Sequence, residues 1–348
     1  MASPASAHRL STADESLGDL YFLVLHIRWQ VIGLLIMLGA SMLSKDRARR
    51  IGILLAGTML FALMLVPLFG VEVNGARRWL KFGLTIQPSE FLKPGFAIAF
   101  AWILSLRTRD PDLPVTEISF GFMGLICALL MLQPNLGSAL LFSGVWFVLV
   151  FLSGLSVKRV VALGSAGLAA LAAAYLLYDN ARHRIDSFLG GGTAFDHVDL
   201  AQRTLLNGGW TGTGFWLGSR KMSLPEAHTD YIFSVIGEEF GLLACAVVVL
   251  LYLAILVRVL VRLADEEDLF TVLAGAGLIS LFCGQAFINI LVNLQLFPSK
   301  GMTLPLISYG GSSTIAISLG IGLLLGIMRR NPFIKREPFG PRKAGVLP

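Results

Sequence analysis

Between Glu239 and Arg258 the chain reads Phe240-Gly-Leu-Leu-Ala-Cys-Ala-Val-Val-Val-Leu-Leu-Tyr-Leu-Ala-Ile-Leu-Val257, without one charged side chain. The apolar run around it, 231 to 257, exceeds the roughly 20 residues that carry an α-helix across a bilayer's hydrocarbon core. Eight more runs, bounded by charge, Pro or Gly, lie at 23 to 43, 51 to 70, 88 to 105, 117 to 133, 137 to 155, 158 to 178, 270 to 296 and 304 to 328. Together they predict an all-α fold, a polytopic membrane bundle of about nine helices. The composition agrees: with 55% hydrophobic and 14% charged residues among 348, the chain is too apolar and charge-poor for a soluble domain. Neither a low-complexity segment nor an internal repeat interrupts it, so residues 23–330 read as one domain.

The formal charge of +6 does not point to nucleic acid, because Lys and Arg sit in short clusters between apolar runs. These clusters occupy alternate connections: Lys45, Arg47, Arg49 and Arg50; Arg107 and Arg109; Lys158 and Arg159; Arg258 and Arg262; then Arg329, Arg330, Lys335 and Arg336. The positive-inside rule assigns that side to the cytoplasm, together with a C-terminal tail at 331–348. An odd number of spans then leaves a tail at 1–22 outside, and it lacks the charged and apolar regions of a signal peptide. Cys127, Cys245 and Cys283 lie apart in apolar runs without metal-ligand spacing, and read as core thiols.

The other connections, including 71–87, 179–230 and 297–303, face outward and hold the residues that topology alone does not explain. In Asn74-Gly-Ala-Arg-Arg-Trp-Leu-Lys81, three cations accompany an indole. Arg77 and Arg78 can clamp phosphate oxygens and Trp79 can stack on a sugar, or the segment is a headgroup anchor. In Gln87-Pro-Ser-Glu-Phe-Leu-Lys93, Pro88 suits a first helical turn with Gln87 as its cap. Glu90 and Lys93, three apart, share a face and can form either a structural ion pair or part of a site. The long loop at 179–230 contains Arg203 and the glycines Gly208, Gly209, Gly212, Gly214 and Gly218, which permit close approach to a ligand. It ends in Leu224-Pro-Glu-Ala-His-Thr-Asp-Tyr-Ile-Phe233, where Thr229 is the expected N-cap and Asp230 falls in the first turn. There Asp230 is either a stabiliser of the helix dipole or a general base raised by burial. Glu238 and Glu239, deeper in the span, require cationic partners. Lys300 and the hydroxyl-rich Ser308-Tyr-Gly-Gly-Ser-Ser313 complete the outward set.

Taken in order, Asn74-Gly-Ala-Arg-Arg-Trp79, Gln87-Pro-Ser-Glu90, His228-Thr-Asp-Tyr-Ile-Phe233 with Glu238-Glu239, and Ser308-Tyr-Gly-Gly-Ser-Ser313 resemble the signature segments of the SEDS family (shape, elongation, division and sporulation). Within it, Lys300-Gly-Met-Thr-Leu-Pro305 is similar to the division branch rather than the elongation branch. The resemblance implies a peptidoglycan glycosyltransferase that polymerises lipid II outside the bacterial plasma membrane, at the division septum. It also implies a class B penicillin-binding protein and other divisome membrane proteins as partners. Asp230 matches the family's essential aspartate; Arg77, Arg78, Trp79, Gln87, Glu90, Lys93, Arg203, His228, Thr229, Lys300, Ser308, Tyr309 and Ser312 are the candidates to hold pyrophosphate and sugar. No nucleotide-sugar motif is required, since the donor is already activated by its pyrophosphate; the sequence shows no metal-ligand cluster, while a divalent cation stays open as a cofactor.

The chain departs from the family pattern at Asn135, where Asp is usual, at His197 for Gln and at Trp216 for Gly. Its start resembles the loop after the family's first helix. Two other readings share the topology: a lipid II flippase and a non-catalytic divisome scaffold.

Overall fold

In lipid an unpaired backbone N–H or C=O finds no water, so an apolar chain must close its hydrogen bonds within each segment. The computed structural model of the chain does so with helices. It describes residues 2, 18, 20–73, 76–82, 84–108, 110, 112–154, 157–178, 182, 185–186, 197–298 and 301–329. The expected tails at 1–22 and 331–348 therefore lie largely outside the described residues, as does Lys300. All nine expected spans appear as helices: α1 Tyr21–Ser41, α2 Lys45–Phe69, α3 Pro88–Ser105, α4 Val115–Leu132, α5 Leu136–Leu152, α6 Val157–Leu177, and then, after a short α7 at His197–Asn207, α8 Ile232–Ala264, α9 Leu269–Asn293 and α10 Gly311–Met328. Among the described residues, seven of these helices are long and apolar enough to cross a membrane, and α5 is a shorter apolar helix.

Helices α3 and α9 form the centre of the bundle and are buried along most of their length, while α1, α2 and α8 turn much of their apolar surface outward. The basic connections gather at one end. There Lys45 pairs with Asp268 at 3.2 Å, Arg107 donates to the carbonyl of Gly154 at 3.3 Å, and Arg262 donates to that of Met328 at 2.9 Å. The connections with the candidate residues gather at the opposite end.

Three expectations change in detail. Residues 71–87, read as a loop, contain an antiparallel meander of β1 Val71–Val73, β2 Ala76–Phe82 and β3 Leu84–Ile86. The last span begins at Gly311 rather than 304, because residues 304–310 fold back on the loop before α8: Ser308 Oγ accepts from Leu304 N at 2.8 Å, and Tyr309 N donates to His228 O at 2.8 Å. Helix α8 runs two turns further toward the basic end than 257, and it is broken at Gly241 (φ 81°, ψ 175°), a backbone state essentially reserved for glycine.

Carbonyls and amides freed by that break are taken up by the preceding loop. Thr213 N donates to Glu238 O at 2.8 Å and Gly214 N to Glu239 O at 3.0 Å; Leu242 N donates to Gly209 O at 2.9 Å. Of the loop glycines, Gly208, Gly212 and Gly218 lie against the Gly237–Glu239 stretch of α8. A Cβ at Gly208 would stand 1.9 Å from Gly237 O, whereas at Gly209 (φ 55°) it would meet open space. Gly209→Ala should therefore cost only the left-handed backbone penalty of about 1–2 kcal/mol. Gly208→Ala must displace the loop and should lower the melting temperature of the purified protein clearly further. Equal shifts for the two variants in thermal unfolding would contradict this packing.

Candidate active site

The outer end is organised by carboxylates and amides that the apolar helices cannot leave unpaired. Glu238, fully buried, accepts from Asn207 Nδ2 at 3.0 Å, Arg220 N at 2.8 Å and Lys221 N at 2.9 Å. Its neighbour Glu239, also buried, forms a salt bridge with the Lys221 ammonium, itself 2% exposed. Among the described residues the expected cationic partner is present for Glu239 alone; Glu238 is met instead by the Asn207 side-chain amide and two backbone amides. The pair fixes the loop that leads into Asp230.

Asp230 lies two residues ahead of α8, because Tyr231 and not Thr229 occupies the cap position. The turn forms earlier instead: Glu226 adopts φ 51°, its carbonyl accepts from Thr229 N and Tyr231 N, and Thr229 Oγ1 donates to Glu226 Oε2 at 2.6 Å. Asp230 is half-buried, and its main-chain carbonyl accepts from Asn289 Nδ2 at 2.7 Å and Asn293 Nδ2 at 3.1 Å. Asn289 Nδ2 also donates to Met302 O at 2.6 Å. This brings the 301–304 segment beside the acid, where a Cβ at Gly301 would come within 3.3 Å of Asp230 Oδ2. Ser308 Oγ ties the same two segments by donating to Thr229 O.

One helical turn along α9, about 6 Å away, Gln285 accepts from Lys93 Nζ at 2.6 Å and donates to Thr303 O at 2.9 Å. Lys93 Nζ also donates to Glu90 Oε1 at 2.6 Å, the expected pair on α3. Lys93 is 4% exposed and Glu90 8%. Together with Gln285 they line a cavity of about 200 Å³ whose other walls are apolar, among them Leu278, Phe282, Ile321 and Leu324. A cation is thus held at the polar edge of a greasy pocket, one turn from the loop that carries a carboxylate.

The remaining candidates divide. His228 and Tyr309 stand next to the acid in an aromatic cluster with Phe22, whose ring centroid is 4.4 Å from that of His228. Burial lowers the His228 pKa below its ordinary 6.5, opposed by the nearby Glu226 carboxylate. Arg78 is committed to the turn after α4, donating to Gln133 O at 3.1 Å and to Pro134 O. Arg77 is exposed and pairs with Glu72 at 3.5 Å, while Trp79 is half-buried on β2 opposite Val71. Gln87 occupies the cap position of α3, but its side chain makes no capping bond. Arg203, on the solvent-facing side of α7, pairs with Asp199 at 2.8 Å. Ser312 Oγ reaches Thr85 O at 3.4 Å and joins α10 to the meander.

The three departures have local accounts. Asn135 caps α5 by accepting from Ser138 N at 3.3 Å, His197 opens α7 with its ring 6.5 Å from that of Tyr231, and Trp216 sits at φ 67°, in the left-handed region that favours glycine. Among the described residues no cluster of His, Cys, Asp or Glu could hold a metal ion. Reading the sequence overlooked Gln285, Asn289 and Asn293, although amides at i, i+4 and i+8 in an apolar run mark one polar face of a helix.

Comparison with known proteins agrees with this arrangement. Residues 3–332 match the family described as "Cell cycle protein", of FtsW, RodA and SpoVE. The chain is 34% identical over 333 residues to the "Probable peptidoglycan glycosyltransferase FtsW" of Caulobacter vibrioides, covering 95% of this chain and 84% of that protein. A relative of the same description in Geobacter metallireducens is 32% identical, with coverages of 89% and 85%. Among solved structures, a chain from "Structural coordination of polymerization and crosslinking by a peptidoglycan synthase complex" superposes with a TM-score of 0.75 at 31% identity, covering 88% of this chain and 89% of that one. The Thermus thermophilus rod shape determining protein RodA superposes at 0.65 with 30% identity, over 88% of this chain and 87% of that protein. On the reach of that match and the shared fold, the chain belongs to the SEDS family of FtsW, RodA and SpoVE.

Proposed function

We propose that the chain is a peptidoglycan glycosyltransferase that polymerises lipid II at the outer face of the plasma membrane during cell division. The observation that carries this reading is the pairing of Asp230, at the rim, with Lys93 in an apolar cavity one turn along α9. A substrate with an isoprenoid tail, a pyrophosphate and a sugar needs grease, cation and acid in that order. Asp230 takes the proton of the acceptor hydroxyl as its oxygen attacks the anomeric carbon of the donor. The bond from that carbon to the pyrophosphate breaks, and Lys93 stabilises the charge gathering on the leaving group. Lys300, next in sequence to Gly301, is the second cation suited to that work; Arg77 and Arg78 have protein partners of their own.

Orientation follows from charge: the end with Lys45, Arg107, Arg262 and Arg329 is cytoplasmic, and so is the C-terminus. The FtsW relatives support action at the septum, and the synthase complex of polymerization and crosslinking supports a class B penicillin-binding protein as partner.

The decisive assay combines the purified protein, its penicillin-binding partner and lipid II in liposomes. Wild type should form glycan strands, and Asp230→Ala and Asp230→Asn should reduce the rate by at least about 10²-fold at unchanged membrane content. Strands formed at the wild-type rate by Asp230→Ala would refute the assignment, and translocation of lipid II without polymerisation would favour a flippase.

The two roles of Lys93 separate by stability. Lys93→Met leaves the Glu90 carboxylate buried without its cation, which costs roughly 3–5 kcal/mol, so this variant should melt early. Adding Glu90→Gln should restore the melting temperature but not polymerisation; recovery of both would leave Lys93 with a structural role alone. For His228 the sign is set by its lowered pKa. As pH falls below 6.5 the unfolded chain takes up a proton that the folded chain resists, so stability falls in that window. His228→Gln should show a shallower loss of melting temperature between about pH 6.5 and 5; an identical slope would remove His228 from the account.

A further inference from the structure

The three amides on α9 are more than buried polar residues that happen to be satisfied. Gln285 and Asn289 are 2% exposed and Asn293 is fully buried. Nothing in α9 itself requires them, because its backbone is hydrogen-bonded internally, and an apolar residue would be a cheaper occupant of a membrane helix. Apart from two bonds from Asn293 Nδ2 back to Asn289, their bonds run outward to neighbouring segments. Gln285 holds Lys93 and Thr303, Asn289 holds Met302 and Asp230, and Asn293 holds Asp230 and accepts from Ser234 Oγ at 2.7 Å.

Asn289 is the central rung. Its two N–H groups reach the carbonyls of Asp230 and Met302, and so fix the separation of two loops that are distant in sequence. Met302 adjoins Gly301, which lies against the Asp230 carboxylate. We infer that Asn289 is a positioning residue for the reaction: it clamps the main chain of Asp230 to that of Met302 and thereby aims the carboxylate at the acceptor hydroxyl. This rests on the reading of Asp230 as the base. Loss of the clamp leaves the acid present but misdirected, and an error of about 1 Å in a reacting group can cost about 10²-fold in rate.

The test is steady-state polymerisation by the full-length protein with its penicillin-binding partner and lipid II. Asn289→Asp keeps the shape but presents oxygen to two carbonyls, and Asn289→Ala removes both donors. Each should lower kcat by about 10- to 100-fold, leave KM for the lipid-linked donor within about 3-fold, and move the acid limb of the kcat–pH profile. Asn289→His, which keeps one donor, should recover part of kcat. Thr271→Val, at the far end of α9, serves as the control for a merely structural change. The inference is overturned if kcat and the acid limb stay at wild-type values in the Asn289 variants. It is equally overturned if kcat falls only in proportion to folded protein, as in the control. Activity in Asp230→Asn would sink the reading of the base itself, whereas an inactive Asp230→Asn beside fully active Asn289 variants would sink this inference alone.

Discussion

An ammonium group buried between a carboxylate and a carboxamide, at Lys93, sets the terms for the outer half of the molecule. Neither partner alone would suffice, since a charge removed from water is tolerated only when its donors are matched. Glu90, three residues earlier on α3, supplies the opposite charge, and Gln285 supplies a second acceptor from α9. That bond joins the two most buried helices, so the polar contact and the apolar packing of α3 on α9 depend on each other. Gln285 then carries the constraint onward, because its remaining donors hold Thr303. A local electrostatic requirement thus becomes the geometry of a loop.

A second constraint acts at α8. A helix that breaks at Gly241 exposes carbonyls and amides at the edge of the bilayer, and the loop from Gly208 to Gly214 supplies their partners. Glu238 closes the same arrangement from the side, accepting two backbone amides of the 220–221 segment. The chain just before Asp230 therefore has a defined path in spite of its length and lack of long helices. Rigid support of this kind is what a loop needs if it is to present one acid in one place.

How far the sequence anticipated this follows the physics of each signal. Apolar runs of helical length are a property of single segments, and all nine were legible, as was the Glu90–Lys93 pair, which is local on one helix face. The meander was missed because its strands are short, although Asn74-Gly75 between Val73 and Ala76 is a strong hairpin signal. The cap was misplaced by two residues: Thr229 has the right chemistry, but its hydroxyl is taken by Glu226. Arg78 looked like an anion clamp because a guanidinium in an outward loop suits phosphate, and only the fold reveals that the carbonyls of Gln133 and Pro134 already occupy it. Partners far apart in sequence leave no local trace.

The amides of α9 show where more could have been read. Their spacing was visible, and the expense of an amide in lipid is general, so residues 285, 289 and 293 could have been placed on one working face without any structure. What the sequence could not supply was their targets. Asn289 and Met302 are separated by a turn of chain, Asn289 and Asp230 by nearly an entire membrane hairpin. The difference explains why the acid itself was the easier residue to find. A carboxylate at a membrane boundary calls for an explanation on its own, whereas a buried amide is explained only by the atoms it holds.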